Sequence, residues 1–236
     1  MKVAVVTPFY TESVEILLRC VNSVASQTVD NIEHILVADG VEKPRLPRYL
    51  DREVIVLPKC HADAGATPRA IGAISCFSRG FDAVAFLDAD NTYQSNHLEC
   101  MIGLMEQYKS SVVTATRNIC DLDGTVMYVD RVESDGDKFC DTNCLFIGKP
   151  TINLLTYWIT QPGLQLWSDR QFWSAICQTN IAKIHCSLPT VNYHSKWAWH
   201  YSFAGIEPPA NSVWIDVSEG RLVHTHHSTK RTKNES

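Results

Sequence analysis

The first half of the chain alternates short apolar runs with stretches of helical periodicity. Val3–Thr7 is a β-branched run, and the apolar residues of Val14–Ala25 follow the i, i+3, i+4 spacing of a helix with one buried face. The same alternation continues to about residue 115. It predicts further strands at Ile35–Ala38, Val54–Leu57 and Ala83–Leu87 and further helices at Pro68–Arg79 and Ser95–Met105. This order predicts right-handed crossovers and an open parallel sheet.

Several residues mark where these elements begin and end. Pro8 is expected to stop the first strand, because proline cannot donate to the ladder. Thr67 is expected to be the N-cap of the helix that has Pro68 at its first position and Gly80 just past its end. Ser95 is expected to cap the next helix.

The pattern changes after residue 115, where short strands mix with helices. Strands are predicted at Val112–Thr116, Val126–Val129 and Cys144–Ile147, and helices near Ile152–Ile159 and Arg170–Gln178. No repeat and no long linker separates the halves. We therefore expect one domain over residues 1–225, followed by a polar tail at 226–236.

Composition narrows the class of protein. Of its 236 residues, 45% are hydrophobic and 20% are charged, which are fractions typical of globular proteins. A formal charge of -5 argues against nucleic acid as a partner. The nine cysteines form no Cys-x-x-Cys pair, which favours reduced thiols and a cytoplasmic protein. No signal peptide or transmembrane segment is expected, and contact with the inner face of the membrane stays open.

Polar residues cluster where the predicted parallel strands end. These are Thr7 with Pro8, Asp39, the segment from His61 to Arg69, and Asp88 with Asp90. Ligands of open α/β sheets bind at the carboxyl ends of the strands. Carboxylate and phosphate oxygens are both suitable ligands for a hard divalent cation. Asp88 and Asp90 are therefore a candidate site for a metal bound to a nucleoside diphosphate.

Six segments in this order resemble the family-2 glycosyltransferases of the GT-A fold. They are Val5-Val6-Thr7-Pro8-Phe9-Tyr10 with Glu12, Leu36-Val37-Ala38-Asp39-Gly40, the segment from Asp63 to Gly72, Phe86-Leu87-Asp88-Ala89-Asp90-Asn91, Asp141-Thr142-Asn143, and the segment from Trp167 to Trp173. The resemblance implies a single Rossmann-like α/β domain with a mostly parallel central sheet flanked by helices. Its nucleotide-binding half would be about 1–115 and its acceptor-binding half about 116–225.

The resemblance also implies an activity and a set of site residues. The activity would be inverting transfer of a sugar from a nucleoside-diphosphate-sugar, most simply a UDP-sugar, to a glycan or lipid-linked acceptor in cell-surface glycan or polysaccharide synthesis. The implied donor residues are Thr7, Pro8, Phe9, Glu12, Asp39, Arg69, Asp88 and Ala89. The implied acceptor residues are Asp141, Thr142, Asn143, Trp167 and Arg170, with Asp169 as the general base.

A divalent metal, Mn²⁺ or Mg²⁺, is implied at Asp90. His194 is a candidate further ligand, and the cluster of His224, His226 and His227 is a second candidate. The sequence leaves open which histidine completes the site.

Other interpretations remain at this stage. Asp169 could have only a structural role, in which its charge interacts favourably with the dipole of the helix that it opens. The general base would then be sought among Asp141, Asp137 and Glu133. The Asp88 motif also resembles the nucleophile motif of haloacid-dehalogenase-type phosphatases, although it follows three predicted strands instead of ending the first. A nucleotidyltransferase would need a glycine-rich amino-terminal signature, which Val3–Ser13 lacks. A non-catalytic nucleotide-sugar-binding module would keep the pocket without needing a base.

Overall fold

The parallel half of the sheet is as the sequence predicts. The computed structural model describes residues 1–42, 52–159, 167–216 and 221–224, so the predicted tail at 226–236 lies outside the described residues. The first four strands of the sheet are β1 (Val3–Phe9), β2 (Ile32–Ala38), β3 (Glu53–Val56) and β4 (Ala83–Phe86). Their spatial order is β3-β2-β1-β4. All three pairings are parallel. The connecting helices are α1 (Val14–Ala25) and α2 (Ala66–Ser78).

The second half continues the same sheet with mixed pairing. Its strands are β5 (Thr92–Tyr93), β6 (Val112–Cys120), β7 (Val126–Asp130), β8 (Leu145–Gly148) and β9 (Lys183–His194). In the described residues they extend the order as β4-β8-β6-β9-β5, with β7 on β6. Strand β8 is antiparallel to both neighbours, whereas β6 and β9 are parallel. The α/β class and the single central sheet are confirmed.

The remaining elements cover this sheet and follow it. The helices are α3 (His97–Tyr108), α4 (Ser168–Cys177) and α5 (Ala198–Phe203). Two 3₁₀ segments, Thr142–Cys144 and Lys149–Trp158, lie between α3 and α4 in the chain. Strands β10 (Val213–Asp216) and β11 (Arg221–His224) form a separate antiparallel pair. No helix in the described ranges combines the length and apolar character needed to cross a membrane.

Four local predictions differ from the structure. Strand β1 runs through Pro8, which pairs with Val37; its nitrogen points toward β4, whose ladder with β1 has ended at Val6. Gly65, not Thr67, is the N-cap of α2. Asn96, not Ser95, precedes α3, and its side chain makes no capping bond. The predicted helix near Ile152–Ile159 is a 3₁₀ segment.

Helix α2 packs so closely on β1 that its contact position needs glycine. A Cβ at Gly72 would lie 2.5 Å from Cγ1 of Val6 and 3.0 Å from Cγ2 of Val37. The first distance is shorter than real Cβ contacts in a packed interior, and the second is tighter than most of them. The close approach fixes the first turn of α2, and therefore Arg69, beside the carboxyl end of the sheet.

Candidate active site

The carboxyl ends of β1, β2 and β4 open into a cleft of about 350 Å³, here called the first pocket. Its walls are Pro8, Phe9, Tyr10, Glu12, Asp39, Cys60, Ala62, Asp63, Ala64, Gly65, Arg69, Asp88, Ala89 and Asp90. Every residue predicted to bind the donor, apart from Thr7, is therefore in one cavity, together with the predicted metal ligand Asp90. The position at the carboxyl edge of parallel strands is where α/β sheets bind their ligands.

Thr7 lies beneath this pocket instead of on its wall. Its side chain is fully buried, and its hydroxyl is 2.8 Å from Nε2 of His34. Burial lowers the pKa of His34 to about 3, so the ring is neutral and able to share this hydrogen bond. The expectation that the Thr7 side chain lines the nucleoside site is therefore corrected: Thr7 ties β1 to β2.

Asp39 is held by the loop that follows β3. Its carboxylate accepts the main-chain N–H of His61 at 3.0 and 3.1 Å and lies 2.7 Å from Nδ1 of the same residue. Gly40 makes this approach feasible, because it has φ of 73° and a Cβ there would lie 2.1 Å from the nitrogen of Cys60. Asp39 therefore has a fixed orientation at the pocket wall before any ligand enters.

Glu12 is fixed in a simpler way at the mouth of the pocket. One carboxylate oxygen accepts the N–H of Tyr10 at 2.7 Å, which closes a short turn at the end of β1. Tyr10 is itself half exposed. The predicted donor residue thus stands where it can meet a nucleoside entering from solvent.

Arg69, which is buried, and Asp88, which is partly exposed, form an ion pair inside the first pocket. Nη2 of Arg69 donates to Oδ1 of Asp88, and Nη1 donates to the carbonyl of Ala64 at 2.8 Å. The second oxygen of Asp88 accepts from Nδ2 of Asn143 at 3.0 Å. Both oxygens of Asp88 are therefore engaged, which leaves little room for the nucleophile role of a phosphatase.

Asp90 is paired with a cation from another part of the chain. Nζ of Lys196 is 2.9 Å from Oδ2 of Asp90, and Arg19 donates to the Asp90 carbonyl at 2.9 Å. One carboxylate oxygen remains outside the ion pair. In the described ranges, no group of three or more His, Cys, Asp or Glu side chains is arranged to hold a metal ion. The donor set fits Mg²⁺ or Mn²⁺ shared with a diphosphate and water, and it does not fit a cage made of protein alone.

His194, the candidate further ligand, hydrogen-bonds to the segment that follows Asp90. Its Nε2 is 3.3 Å from the hydroxyl of Thr92, and its main-chain N–H donates to Oδ1 of Asn91 at 2.8 Å. Burial lowers the pKa of His194, which keeps the ring neutral as a metal ligand must be. The alternative His224 ends β11, while His226 and His227 lie outside the described residues.

A second pocket, of about 180 Å³, lies in the other half of the molecule. It is lined by Arg117, Glu133, Phe139, Asp141, Trp167, Asp169, Arg170, Tyr193, Trp197, Trp199 and His200. Four residues predicted for the acceptor side are among them: Asp141, Trp167, Asp169 and Arg170. Thr142 and Asn143 are buried and do not line this cavity.

Asn143 instead connects the two pockets. Its Nδ2 donates to Asp88, which lines the first pocket, and to Oδ1 of Asp141 at 2.8 Å, which lines the second. Its Oδ1 accepts the N–H of Asp88 at 2.6 Å. A single amide therefore bonds to a wall residue of each cavity.

Asp169 has a raised pKa at the wall of the second pocket. It lies in the first turn of α4 and accepts the N–H of Arg170 at 2.7 Å. Burial, followed by the negative charge of Asp141, raises the pKa of Asp169 to about 6. Such a carboxylate is ionised at neutral pH yet is a stronger base than an exposed aspartate.

A buried arginine organises the wall of the second pocket. Arg117 is 2% exposed and donates to Asp130 at 2.9 Å, Asp141 at 2.7 Å and Glu133 at 2.5 Å. Its guanidinium also lies 4.6 Å from the ring centre of Tyr193. Sequence reasoning missed Arg117, although a charged residue inside the otherwise uncharged run of β6 was a usable signal.

Comparisons with solved structures show the GT-A fold. The chain matches residues 1–349 of TarS from S. aureus in complex with UDP, with a TM-score of 0.60, 17% identity, and coverage of 82% of this chain and 60% of that one. It also matches the same protein in complex with UDP-GlcNAc, with a TM-score of 0.58 and 14% identity over 83% of this chain and 59% of that one. At these identities the likeness concerns the fold alone.

Sequence comparison adds the family. The model of glycosyl transferase family 2 matches residues 4–152, more than half of the chain. An uncharacterised glycosyltransferase of Nostoc sp. (strain PCC 7120) is 28% identical over 151 residues, covering 60% of this chain and 44% of that protein. This chain belongs to glycosyl transferase family 2, and it spans less than half the length of that curated relative.

Proposed function

We propose that this protein transfers a sugar from a UDP-sugar to a hydroxyl of a glycan or lipid-linked acceptor, with inversion at the anomeric carbon. The observation that carries the proposal is the junction at Asn143, which joins a strand-end pocket to a second pocket that contains a basic carboxylate. A donor in the first pocket would present its sugar toward the second. Family membership and the fold support the same reaction class.

The first pocket suits the nucleotide part of such a donor. Asp39 can accept a hydrogen bond from a base N–H, because a carboxylate has acceptor capacity beyond its bonds to His61. Arg69 would place positive charge near the diphosphate. Asp88, held by Arg69 and Asn143, would accept hydrogen bonds from the ribose or sugar hydroxyls.

In the second pocket Asp169 is the best candidate for the base. Inversion requires a carboxylate on the face opposite the leaving diphosphate, to take the acceptor proton as the hydroxyl attacks. The alternatives are less suited. Although burial opposes it, the hydrogen bond with His200 and the charge of Arg117 hold the pKa of Glu133 below its ordinary value. Asp141 is already bonded to Arg117 and Asn143.

The tryptophans of the second pocket suit a carbohydrate acceptor. Trp167 and Trp199 are half exposed there, and sugar rings present apolar C–H faces that pack on indole. Arg170 lies 4.2 Å from the ring centre of Phe139 and can donate to an acceptor hydroxyl from there.

We also propose that the reaction uses Mn²⁺ or Mg²⁺. When bound, the metal would offset the charges of the donor diphosphate, and the free oxygen of Asp90 would hold it. Asp90→Asn should therefore bind UDP equally well with Mn²⁺ and with EDTA. A metal response in this variant equal to that of the wild type would contradict the assignment.

The experiment that tests the reaction measures UDP release. The protein is incubated with UDP-sugars, Mn²⁺ and a panel of glycan and lipid-linked acceptors, and acceptor-dependent UDP is quantified. Release with an acceptor supports transfer, and the anomeric configuration of the product tests inversion. Tight UDP-sugar binding without release under any condition would support the alternative of a non-catalytic binding module.

A further inference from the structure

The two carboxylates of the Asp88–Asp90 pair face different cations. Asp88 is bonded to Arg69, which is buried and also fixed to the carbonyl of Ala64. Asp90 is bonded to Lys196, whose side chain is 50% exposed. Lys196 is therefore the cation of the two that can leave its carboxylate without opening the protein interior.

The main chain around Lys196 is held on both sides. The N–H of Ser195 donates to the carbonyl of Cys120 at 2.9 Å, and the N–H of Val213 donates to the carbonyl of Lys196 at 2.7 Å. The N–H of Trp197 donates to Oγ of Ser195 at 3.0 Å. The Cα of Lys196 is thus fixed, and the flexible part is the four-carbon stem that carries the ammonium.

Lys196 is also connected to residues of both pockets. Its partner Asp90 lines the first pocket, whereas the next residue in the chain, Trp197, lines the second. The ammonium of Lys196 therefore reaches a wall residue of the first pocket, where the donor diphosphate would lie.

The charge of the first pocket favours a further cation beside the diphosphate. Of the described residues that line it, five are acidic (Glu12, Asp39, Asp63, Asp88 and Asp90) and one, Arg69, is basic. A donor diphosphate adds negative charge, which these carboxylates repel. Because Arg69 is already bonded to Asp88, it offsets this repulsion only in part.

We propose that Lys196 binds the diphosphate of the donor, its ammonium moving from Asp90 to a phosphate oxygen. This inference rests on the proposed function. In the transfer, the bond between the anomeric carbon and the diphosphate oxygen breaks, and its electron pair stays on the diphosphate. The acceptor oxygen forms the new bond to that carbon, and its proton passes to Asp169. Lys196 then lies beside the leaving group as its negative charge grows.

The test compares Lys196→Met with the matched control Lys149→Met. Lys149 is a half-exposed lysine 3.9 Å from Asp82, remote from both pockets. UDP, UMP and uridine are titrated calorimetrically in EDTA. We expect Lys196→Met to weaken UDP binding about tenfold or more and UMP binding less, with uridine binding unchanged. Lys149→Met should match the wild type for all three.

Asp90→Asn separates this role from a purely structural one. If Lys196 only holds Asp90 in place, both Lys196→Met and Asp90→Asn should weaken UDP binding in EDTA. If Lys196 binds diphosphate, Asp90→Asn frees the ammonium and should bind UDP in EDTA at least as tightly as the wild type. Lys196→Arg, which keeps the charge, should bind UDP in preference to UMP even if Lys196→Met folds poorly.

The outcomes that overturn the proposal are distinct from those that overturn the function. Equal losses of UDP and uridine affinity in Lys196→Met, or no loss at all, would eliminate Lys196 as a diphosphate ligand while leaving transfer intact. A wild-type protein that binds no UDP, with or without Mn²⁺, would overturn both.

Discussion

The two pockets hold their charged groups in different ways. In the first pocket, Asp39 and Asp88 sit at the ends of parallel strands, and each has a partner on the neighbouring loop or helix, His61 or Arg69. In the second, the charges of the wall converge on Arg117, which comes from the middle of β6. The first pocket is a property of a sheet edge, whereas the second depends on one buried cation.

This difference determines what a substitution should do. Asp39 at the sheet edge can be replaced with loss of binding but little loss of structure, whereas replacing Asp88 would leave the buried Arg69 without its carboxylate. Removing Arg117 would leave several carboxylates without their cation in the interior. Asp169 is an exception within the second pocket. Its carboxylate accepts the N–H of Arg170 on its own helix, so its chemistry can be removed without disturbing the wall.

The sharpest test of this distinction is Asp169→Asn. We expect transfer to fall by about 100- to 10,000-fold, since a general base acts in the transition state. UDP affinity and the melting temperature should stay close to those of the wild type. The control is Asp123→Asn, an exposed turn residue. A lowered melting temperature with most of the transfer activity retained would make Asp169 a helix-start residue.

Arg117→Met should break the second pocket structurally. We expect the free energy of unfolding to fall by about 3–5 kcal/mol, because the variant leaves buried carboxylates uncompensated. Chemical denaturation measures this loss. Arg170→Met is the matched control: its side chain is exposed and 3.5 Å from Glu133, so the loss should be under about 1 kcal/mol. Equal effects in the two variants would refute the idea of an organising cation.

Asp39→Ala should affect the first pocket in binding more than in stability. We expect nucleotide binding to weaken by about 1–3 kcal/mol, the cost of losing a hydrogen bond to a charged group. Calorimetric titration with UDP measures it, with Asp82→Ala, at an exposed surface position, as the control. An unchanged UDP affinity would show that Asp39 only holds the loop that carries His61.

The pH dependence should also separate the pockets. With the pKa of Asp169 raised to about 6, mainly by burial, the rate of transfer should fall about tenfold for each pH unit below that value. The affinity for UDP, measured over the same pH range, should not show this decrease.

The raised pKa of Asp169 also affects stability. Stability should fall as the pH rises, whereas the rate of transfer should rise. A raised carboxyl pKa contributes stability below the ordinary value and loses it as the pH rises through about 6. The difference in melting temperature, Asp169→Asn minus wild type, should therefore increase between pH 5 and pH 7.5. A constant difference across this range would mean that the carboxyl has an ordinary pKa.

The first pocket could be predicted almost completely from the sequence. Strand-helix alternation fixes the handedness of the crossovers, so polar residues that follow β1, β2 and β4 must meet at one edge. The exceptions were local. The pleat of β1 turns the Thr7 side chain to the face of the sheet that α1 covers, toward Cys20 and His34. Gly65 caps α2 because its left-handed backbone suits that turn.

The second pocket needed the tertiary structure. Strands β6 and β9 pair across about 70 positions of the chain, with shifts of register that no local periodicity reveals. That pairing brings the ring of Tyr193 into contact with Arg117. It also allows Lys196 to form its ion pair with Asp90, 106 positions away in the chain. The sequence by itself determined the strands of the parallel half, their approximate ends and the acidic pair, because these follow from local patterns. Which cations meet those carboxylates was decided by packing between distant segments, because ion pairing depends on distances that only the folded chain sets.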